Sequence, residues 1–163
     1  MGIYSAQIKN TKVIAAFPAC GKSYLFEKVK ESNITILDSD SSKFSWLYGT
    51  GEEKVRNPEF PQNYINHIKE NIGKVDYIFV STHENVREAL NEAGIDFYIV
   101  FPNISLKEEW VGRCFLRGSG ETFCKLIANN WNDWIVQLNQ ELNNHKGYVL
   151  QHGEYLSDAL KHL

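Results

Sequence analysis

The sequence predicts an α/β fold in which a five-stranded parallel sheet is covered by helices on both faces. Two patterns carry that expectation. Short continuous apolar runs recur along the chain, at Lys12–Phe17 (KVIAAF), Ile34–Leu37, Val75–Val80 (VDYIFV), Phe97–Phe101 (FYIVF) and Tyr148–Leu150. Strands that are apolar on both faces belong to a sheet covered on both sides, which is how parallel sheets occur. Segments of helical periodicity lie between them, and alternating strand and helix build a three-layer αβα domain. At 163 residues the chain suits one such domain, spanning 1–163.

The elements follow in order. Lys12–Phe17 is the first strand, and Gly21–Val29 reads as a helix. Ile34–Leu37 is a short second strand ending in Asp38-Ser39-Asp40. Asn57-Pro58 offers a helix start with proline near the first position, running through Tyr64, Ile65 and Ile68. Val75–Val80 is the third strand. Ser81 and Glu84 have capping-box spacing for a helix to about Ala93, which Gly94 ends. Phe97–Phe101 is the fourth strand, stopped by Pro102. Ser105 and Glu108 offer a second capping box, for a helix through Trp110. Phe123, Leu126, Ile127, Trp131, Trp134, Ile135, Leu138 and Leu142 follow the i, i+3, i+4 rule and mark one long helix face. Tyr148–Leu150 is the fifth strand, and a short helix starts from Glu154.

Hydrophobic residues make up 43% and charged residues 23%, a globular balance. The net charge of −3 argues against a protein that coats nucleic acid non-specifically, while leaving room for a local basic site. Cys20, Cys114 and Cys124 are odd in number and form no Cys/His cluster, and MGIYSAQIKNTK has no secretory apolar region. Both features point to a reduced, intracellular setting. No segment approaches the ~18 apolar residues of a membrane span.

Ligands of such sheets bind beyond the carboxyl ends of the strands. After the first strand, Ala16-Phe17-Pro18-Ala19-Cys20-Gly21-Lys22-Ser23 matches GxxxxGK[ST], with Ala16 in place of the first glycine. Successive backbone N–H groups at a helix N-terminus form a concave site for phosphate oxygens. Gly21 allows close approach, Lys22 reaches β- and γ-phosphates, and Ser23 can ligate Mg²⁺. Pro18 through Ser23, with Tyr24, are the expected ATP contacts. Ala16 requires a turn that tolerates a Cβ. Cys20 reads as a structural thiol. The plain alternative for the segment is a strand–turn–helix junction with an incidental lysine.

After the second strand, Asp38 and Asp40 could hold Mg²⁺ through water, take a proton from an acceptor hydroxyl or bind substrate; turn chemistry is the alternative. The third strand ends at Ser81-Thr82, without an acid, and Asp76 lies at its opposite edge. Arg87, one turn into the next helix, could point to the cleft. Arg113 and Arg117 share a helix face beside Gly118-Ser119-Gly120, the make-up of a short cationic lid at about 113–121. Solvated helix faces are the alternative for all three arginines. Arg56 is a weaker acceptor-site candidate. Phe44, Trp46, Tyr48, Phe60 and Tyr64 lie in the segment of about 40–70 that would cover an acceptor; they could stack a base or pack the core.

On the loop FPACGKS, the DSD after strand two, Arg87, and the Arg113/Arg117 pair before a glycine-rich turn, the chain resembles the P-loop kinases. Within them it is similar to the nucleoside monophosphate kinase-like group that includes adenylate and shikimate kinases, and to small members from bacteriophages and bacteria. The resemblance implies a P-loop NTPase fold with sheet order 2-3-1-4-5, Mg-ATP as donor, and a small phosphate acceptor, foremost a nucleoside monophosphate. It further implies a cytoplasmic setting, in a bacterial or phage-infected cell. In that scheme Lys22 and the loop amides hold the donor phosphates, Ser23 and Asp38 organise Mg²⁺, and Arg113 and Arg117 neutralise the transition state. Asp40, Arg56 and Arg87 hold the acceptor. The chain departs from the group at Ala16, in the missing acid after strand three, and in lacking a long lid insertion. Other acceptors remain open: a polynucleotide end, a modified base or a small metabolite. So does a regulatory NTPase with no acceptor.

Overall fold

The computed structural model describes residues 8–39, 44, 46–47 and 55–163. Five strands form one sheet: β1 (Lys12–Ala16), β2 (Ile36–Asp38), β5 (Tyr77–Val80), β6 (Tyr98–Pro102) and β7 (Gly147–Leu150). Its order is β2-β5-β1-β6-β7 and every pairing is parallel. Counted among these five, the order is 2-3-1-4-5, as expected. Two short strands that the sequence pattern did not suggest, β3 (Trp46–Leu47) and β4 (Val55–Arg56), pair antiparallel in a separate ribbon.

The helices are α1 (Lys22–Val29), α2 (Gln62–Asn71), α3 (Glu84–Glu92), α4 (Lys107–Leu116), α5 (Glu121–Glu141) and α6 (Leu156–Leu160). Successive strand residues face opposite sides of a sheet. Val13 through Ala16, Ile78 through Val80 and Ile99 through Phe101 are all buried, so both faces of the central strands are covered. That is why these strands read as unbroken apolar runs. Helix α5 packs on α4 and β6, and α6 packs on α1 and β7.

Several helix starts differ from the sequence expectation, each for a local reason. Ser81 and Glu84 do not form a capping box: α3 begins at Glu84, with His83 at its cap. Ser105 is itself held by Asn103, whose Oδ1 accepts from the Ser105 N–H at 3.0 Å, so a 3₁₀ turn (Ile104–Leu106) precedes α4. Asn57 closes a turn rather than a helix, its Oδ1 accepting from Glu59 N–H at 3.0 Å, and α2 starts at Gln62. The C-terminal helix starts at Leu156, where the Asp158 carboxylate accepts from Tyr155 N–H at 2.8 Å.

The end of α3 is as expected. Gly94 (φ 69°) follows the last turn, with Ile95 N–H donating to Leu90 and Gly94 N–H to Asn91. On α5 the buried side chains are Cys124, Ile127, Trp131, Ile135 and Leu138, whereas Leu126 is 46% exposed. Tyr64 is buried and donates to the Ser39 carbonyl at 2.6 Å, while Phe44 and Phe60 pack against its ring. Tyr48 and Asp40 lie outside the described residues, as does the Trp46 side chain.

Candidate active site

The loop between β1 and α1 is shaped by three constraints. Ala16 is still part of β1, paired with Val100, and its extended backbone accommodates the Cβ that stands in for the first glycine of the motif. The left-handed conformations fall further on, at Ala19 (φ 63°) and Gly21 (φ 98°). A Cβ at Gly21 would lie 2.8 Å from Tyr155 Cδ1, so glycine is required both for its φ and for space. Two carbonyls anchor the loop from behind. Pro18 accepts from the Trp110 indole N–H at 3.0 Å, and Cys20 accepts from the Leu156 N–H at 2.7 Å.

Helix α1 opens at Lys22 with no side-chain cap and no acidic residue in its first turn. Its first N–H groups and dipole are therefore left to an anion. Cys20 is buried, and burial pushes its thiol up to about 11 despite Lys22 nearby. It is a packed thiol and not a nucleophile.

Lys22 Nζ stands 3.2 Å from Asp38 Oδ1, with side chains 33% and 40% exposed. A pair this open to water is worth no more than about 1 kcal/mol, so Lys22 exchanges readily to a phosphate. Arg113 is confined between the rings of Trp110 and Tyr155, at 3.9 and 4.1 Å from their centroids. Its Nη2 donates to Glu109 Oε2 at 2.9 Å and to the Glu154 carbonyl at 2.7 Å. Its Nη1 is buried and has no hydrogen-bond partner among the described residues. Such an atom is unfavourable unless a ligand satisfies it.

Arg117 caps the end of α4, donates to Ser119 Oγ and lies over the Phe123 ring. Among the described residues it has no carboxylate partner. Gly118 (φ 77°) and Gly120 (φ 88°) form the turn into α5, so the expected lid segment is a tight helix–helix connection.

Two adjoining clefts result. One, of about 370 Å³, is bounded by Ala19–Ser23, Phe26, Asp38, Arg113 and Arg117. The other, of about 380 Å³, lies between the loop, Asp38 and Ser39 after β2, Ser81–Glu84 after β5, Arg87 on α3, and the side of α5 carrying Phe123, Trp134, Gln137 and Leu138. Lys22, Asp38 and Arg117 belong to both.

The remaining candidates lie as follows. Arg87 is 7% exposed and heavily engaged. Its Nε donates to the Thr82 carbonyl at 2.9 Å, its Nη2 to Gln137 Oε1 at 3.3 Å, and Nη1 is 3.8 Å from Glu141 Oε1. Ser23 lines the first cleft. Tyr24 is exposed, with its ring 5.8 Å from that of Tyr155, and lines neither cleft. Arg56 sits on β4, outside both. Asp76 is tied to Thr35 N–H at 2.7 Å and Lys9 at 3.1 Å; those bonds hold its carboxyl below the usual range, at the edge of the sheet away from the loop.

The described residues contain no group of three or more His, Cys, Asp or Glu side chains able to hold a metal. Ser23 and Asp38, which share the first cleft, suit Mg²⁺ that arrives with its nucleotide, since that ion takes one or two protein ligands plus phosphates and waters. The cleft wall of α5 was not apparent as a site in the sequence. Trp134 and Leu138 lie on the same periodic face as the buried positions, and periodicity does not separate a core from the cleft that continues it.

Comparison with known proteins bears on the fold. No protein-family model matches the chain, and no curated protein matches it. Among solved structures it is similar to a gluconokinase from Sinorhizobium meliloti 1021, with a TM-score of 0.51 and 13% sequence identity, covering 95% of this chain and 89% of that one. The fold is that of the P-loop NTPases. At this identity the likeness concerns architecture alone, and the activity has to be argued from the site.

Proposed function

We propose that the protein is an ATP-dependent phosphotransferase that moves the γ-phosphoryl group of Mg-ATP to a small acceptor. The observation that carries this reading is the meeting of two clefts at Lys22, Asp38 and Arg117. A passive nucleotide switch needs only the cleft over the loop; a second cleft of similar volume opening onto the same three charged side chains gives an acceptor a place. The named activity of the gluconokinase neighbour, a kinase, agrees with it.

In this scheme the donor phosphates lie on the α1 N-terminus and the loop amides, and Lys22 leaves Asp38 to bind them. Ser23 and Asp38 would hold Mg²⁺, which would supply neutralisation of the phosphate charge. Arg113 presents Nη1, and Arg117 spans the two clefts where negative charge develops. The acceptor oxygen forms the new O–P bond, the bond to the bridging β–γ oxygen breaks, and ADP leaves; a hydroxyl acceptor passes its proton to Asp38, whereas a nucleoside monophosphate attacks through a phosphate oxygen that carries no proton to remove. A nucleoside monophosphate is the first acceptor to test, its phosphate held by Arg117; Arg87, Arg56 and Asp40 are less direct candidates. One observation favours a neutral, hydroxyl-bearing acceptor instead: the Arg87 guanidinium is already engaged by Gln137, Thr82 and Glu141.

Incubation with γ-labelled ATP, Mg²⁺ and a panel of nucleoside monophosphates, nucleosides, sugar acids and oligonucleotides tests this. Label on an acceptor, abolished by Lys22→Ala, is expected. Label released only as inorganic phosphate, or retained on ATP under all conditions, overturns phosphotransfer.

A further inference from the structure

We infer that the α5 wall of the second cleft is a recognition surface for a planar heterocyclic ring, a nucleobase, built from Trp134 and the Gln137 amide. The inference rests on that cleft being the acceptor site.

Three indoles can be compared. Trp110 and Trp131 are fully buried, and each indole N–H is satisfied by a carbonyl, of Pro18 at 3.0 Å and Ile104 at 2.7 Å. Trp134 is only partly buried and lines the cleft, and its N–H has no partner among the described residues. Trp134 thus places an indole in the lining of the cleft, with a donor that no described residue uses.

Gln137, one turn further along, lines the cleft with its polarity already set. Its Oε1 accepts from Arg87, and Arg87 is fixed in turn by the Thr82 carbonyl and Glu141. With the oxygen committed, the amide has two N–H donors left for a ligand. Donors beside an aromatic face suit the edge of a ring that carries carbonyl oxygens or ring nitrogens. Glu141, one turn beyond Gln137, is engaged by Arg87. Arg87 is then the residue that orients Gln137.

Calorimetric titration of the full chain, with its donor loop saturated by a non-hydrolysable ATP analogue, tests the surface without catalysis. The ligands are the common nucleoside monophosphates, ribose 5-phosphate and gluconate. At least one nucleotide is expected to bind tenfold or more tightly than ribose 5-phosphate. Trp134→Ala should remove that advantage and Trp134→Phe restore most of it, while Gln137→Glu, which exchanges donors for acceptors, should change the order of preference among bases. Retained binding of the ATP analogue shows that each variant is folded. Equal binding of ribose 5-phosphate or gluconate and the nucleotides, an unaltered base preference in Gln137→Glu, or no effect of Trp134→Ala overturns the inference. Phosphoryl transfer to a sugar acid alone would also overturn it while leaving the phosphotransferase reading intact; failure of transfer to every acceptor would remove that reading instead.

Discussion

Ala19 sits in the phosphate loop with φ 63°, a conformation that crowds any Cβ. For an L-residue it costs roughly 1–2 kcal/mol, against roughly 0.5–1 kcal/mol of extra chain entropy that glycine loses on ordering. Ala19→Gly is therefore expected to stabilise the protein by about 0.5–1 kcal/mol. Ala19→Val, β-branched in a buried left-handed site, should destabilise it by about 2 kcal/mol. Urea unfolding midpoints at unchanged m-value read both effects, and a destabilised Ala19→Gly would contradict the strain argument. The motif drew attention to Ala16, yet the strain lies three residues on, because a spacing pattern specifies residue types and not dihedral angles. Cys20 makes a second prediction. Its folded-state pKa is raised from 9.0 to about 11 by burial, so the thiol's contribution to stability is complete below pH 9. Between pH 9 and 11 the unfolded chain ionises and the folded chain does not, so the folded state holds more protons and stability falls as pH rises. From pH 8 to pH 10.5 the wild type should lose about 2 kcal/mol more than Cys20→Ala, at 1.36 kcal/mol per pH interval of one. Parallel urea curves at the two pH values would show it, and equal losses would mean that the thiol is not sequestered.

At the level of elements, the phosphate loop depends on a helix remote in sequence. The amide of Leu156 at the start of α6 binds the Cys20 carbonyl, and the Tyr155 ring lies over Gly21, leaving 2.8 Å for any added Cβ. Gly21→Ala should abolish ATP binding in equilibrium dialysis. Adding Tyr155→Ala frees the space but not the φ of 98°, so the double variant should recover little; full recovery would mean that the contact, and not the backbone, fixes the glycine. Leu156→Ala, at a fully buried position, should lower stability by about 2–5 kcal/mol and weaken ATP binding with it, because the same element closes the core and holds the loop. The sequence showed the strands of the sheet clearly, since continuous burial leaves an apolar run that little else produces. Helix starts were less legible. Ser105, the expected cap, instead donates both its N–H and its hydroxyl to Asn103 Oδ1, and only the three-dimensional turn decides that Asn103 caps. The coupling of α6 to the loop had no local signal, because a backbone N–H reaching a carbonyl across the molecule uses no particular side chain.

For the whole molecule, the parallel order β2-β5-β1-β6-β7 places the loop after β1, Asp38 at the end of β2 and Ser81–Glu84 after β5 along one edge of the sheet. This much followed from the alternation of strands and helices, whereas the make-up of the far wall depended on how α5 lies across that edge. A ligand gathered by separate elements should stabilise all of them together. Binding to the folded state alone contributes about 2.7 kcal/mol at a hundredfold excess over Kd, and a domain of 150–250 residues gains roughly 2–4 °C in Tm per kcal/mol. Saturating Mg-ATP should thus raise Tm by about 5–10 °C. The Lys22–Asp38 pair at 3.2 Å makes the dependence on the ion informative. In the proposed scheme ATP would draw Lys22 onto its phosphates and, without Mg²⁺, leave Asp38 unpaired beside a polyanion, so the shift in EDTA should be the smaller one. In Asp38→Asn that repulsion and the metal ligand are both gone, and the shifts with Mg²⁺ and with EDTA should converge. In Lys22→Ala neither should exceed about 1 °C, less than the span expected for a single kcal/mol. Differential scanning calorimetry of the three proteins in both buffers decides the matter. A magnesium dependence that survives intact in Asp38→Asn would move the metal ligand away from Asp38.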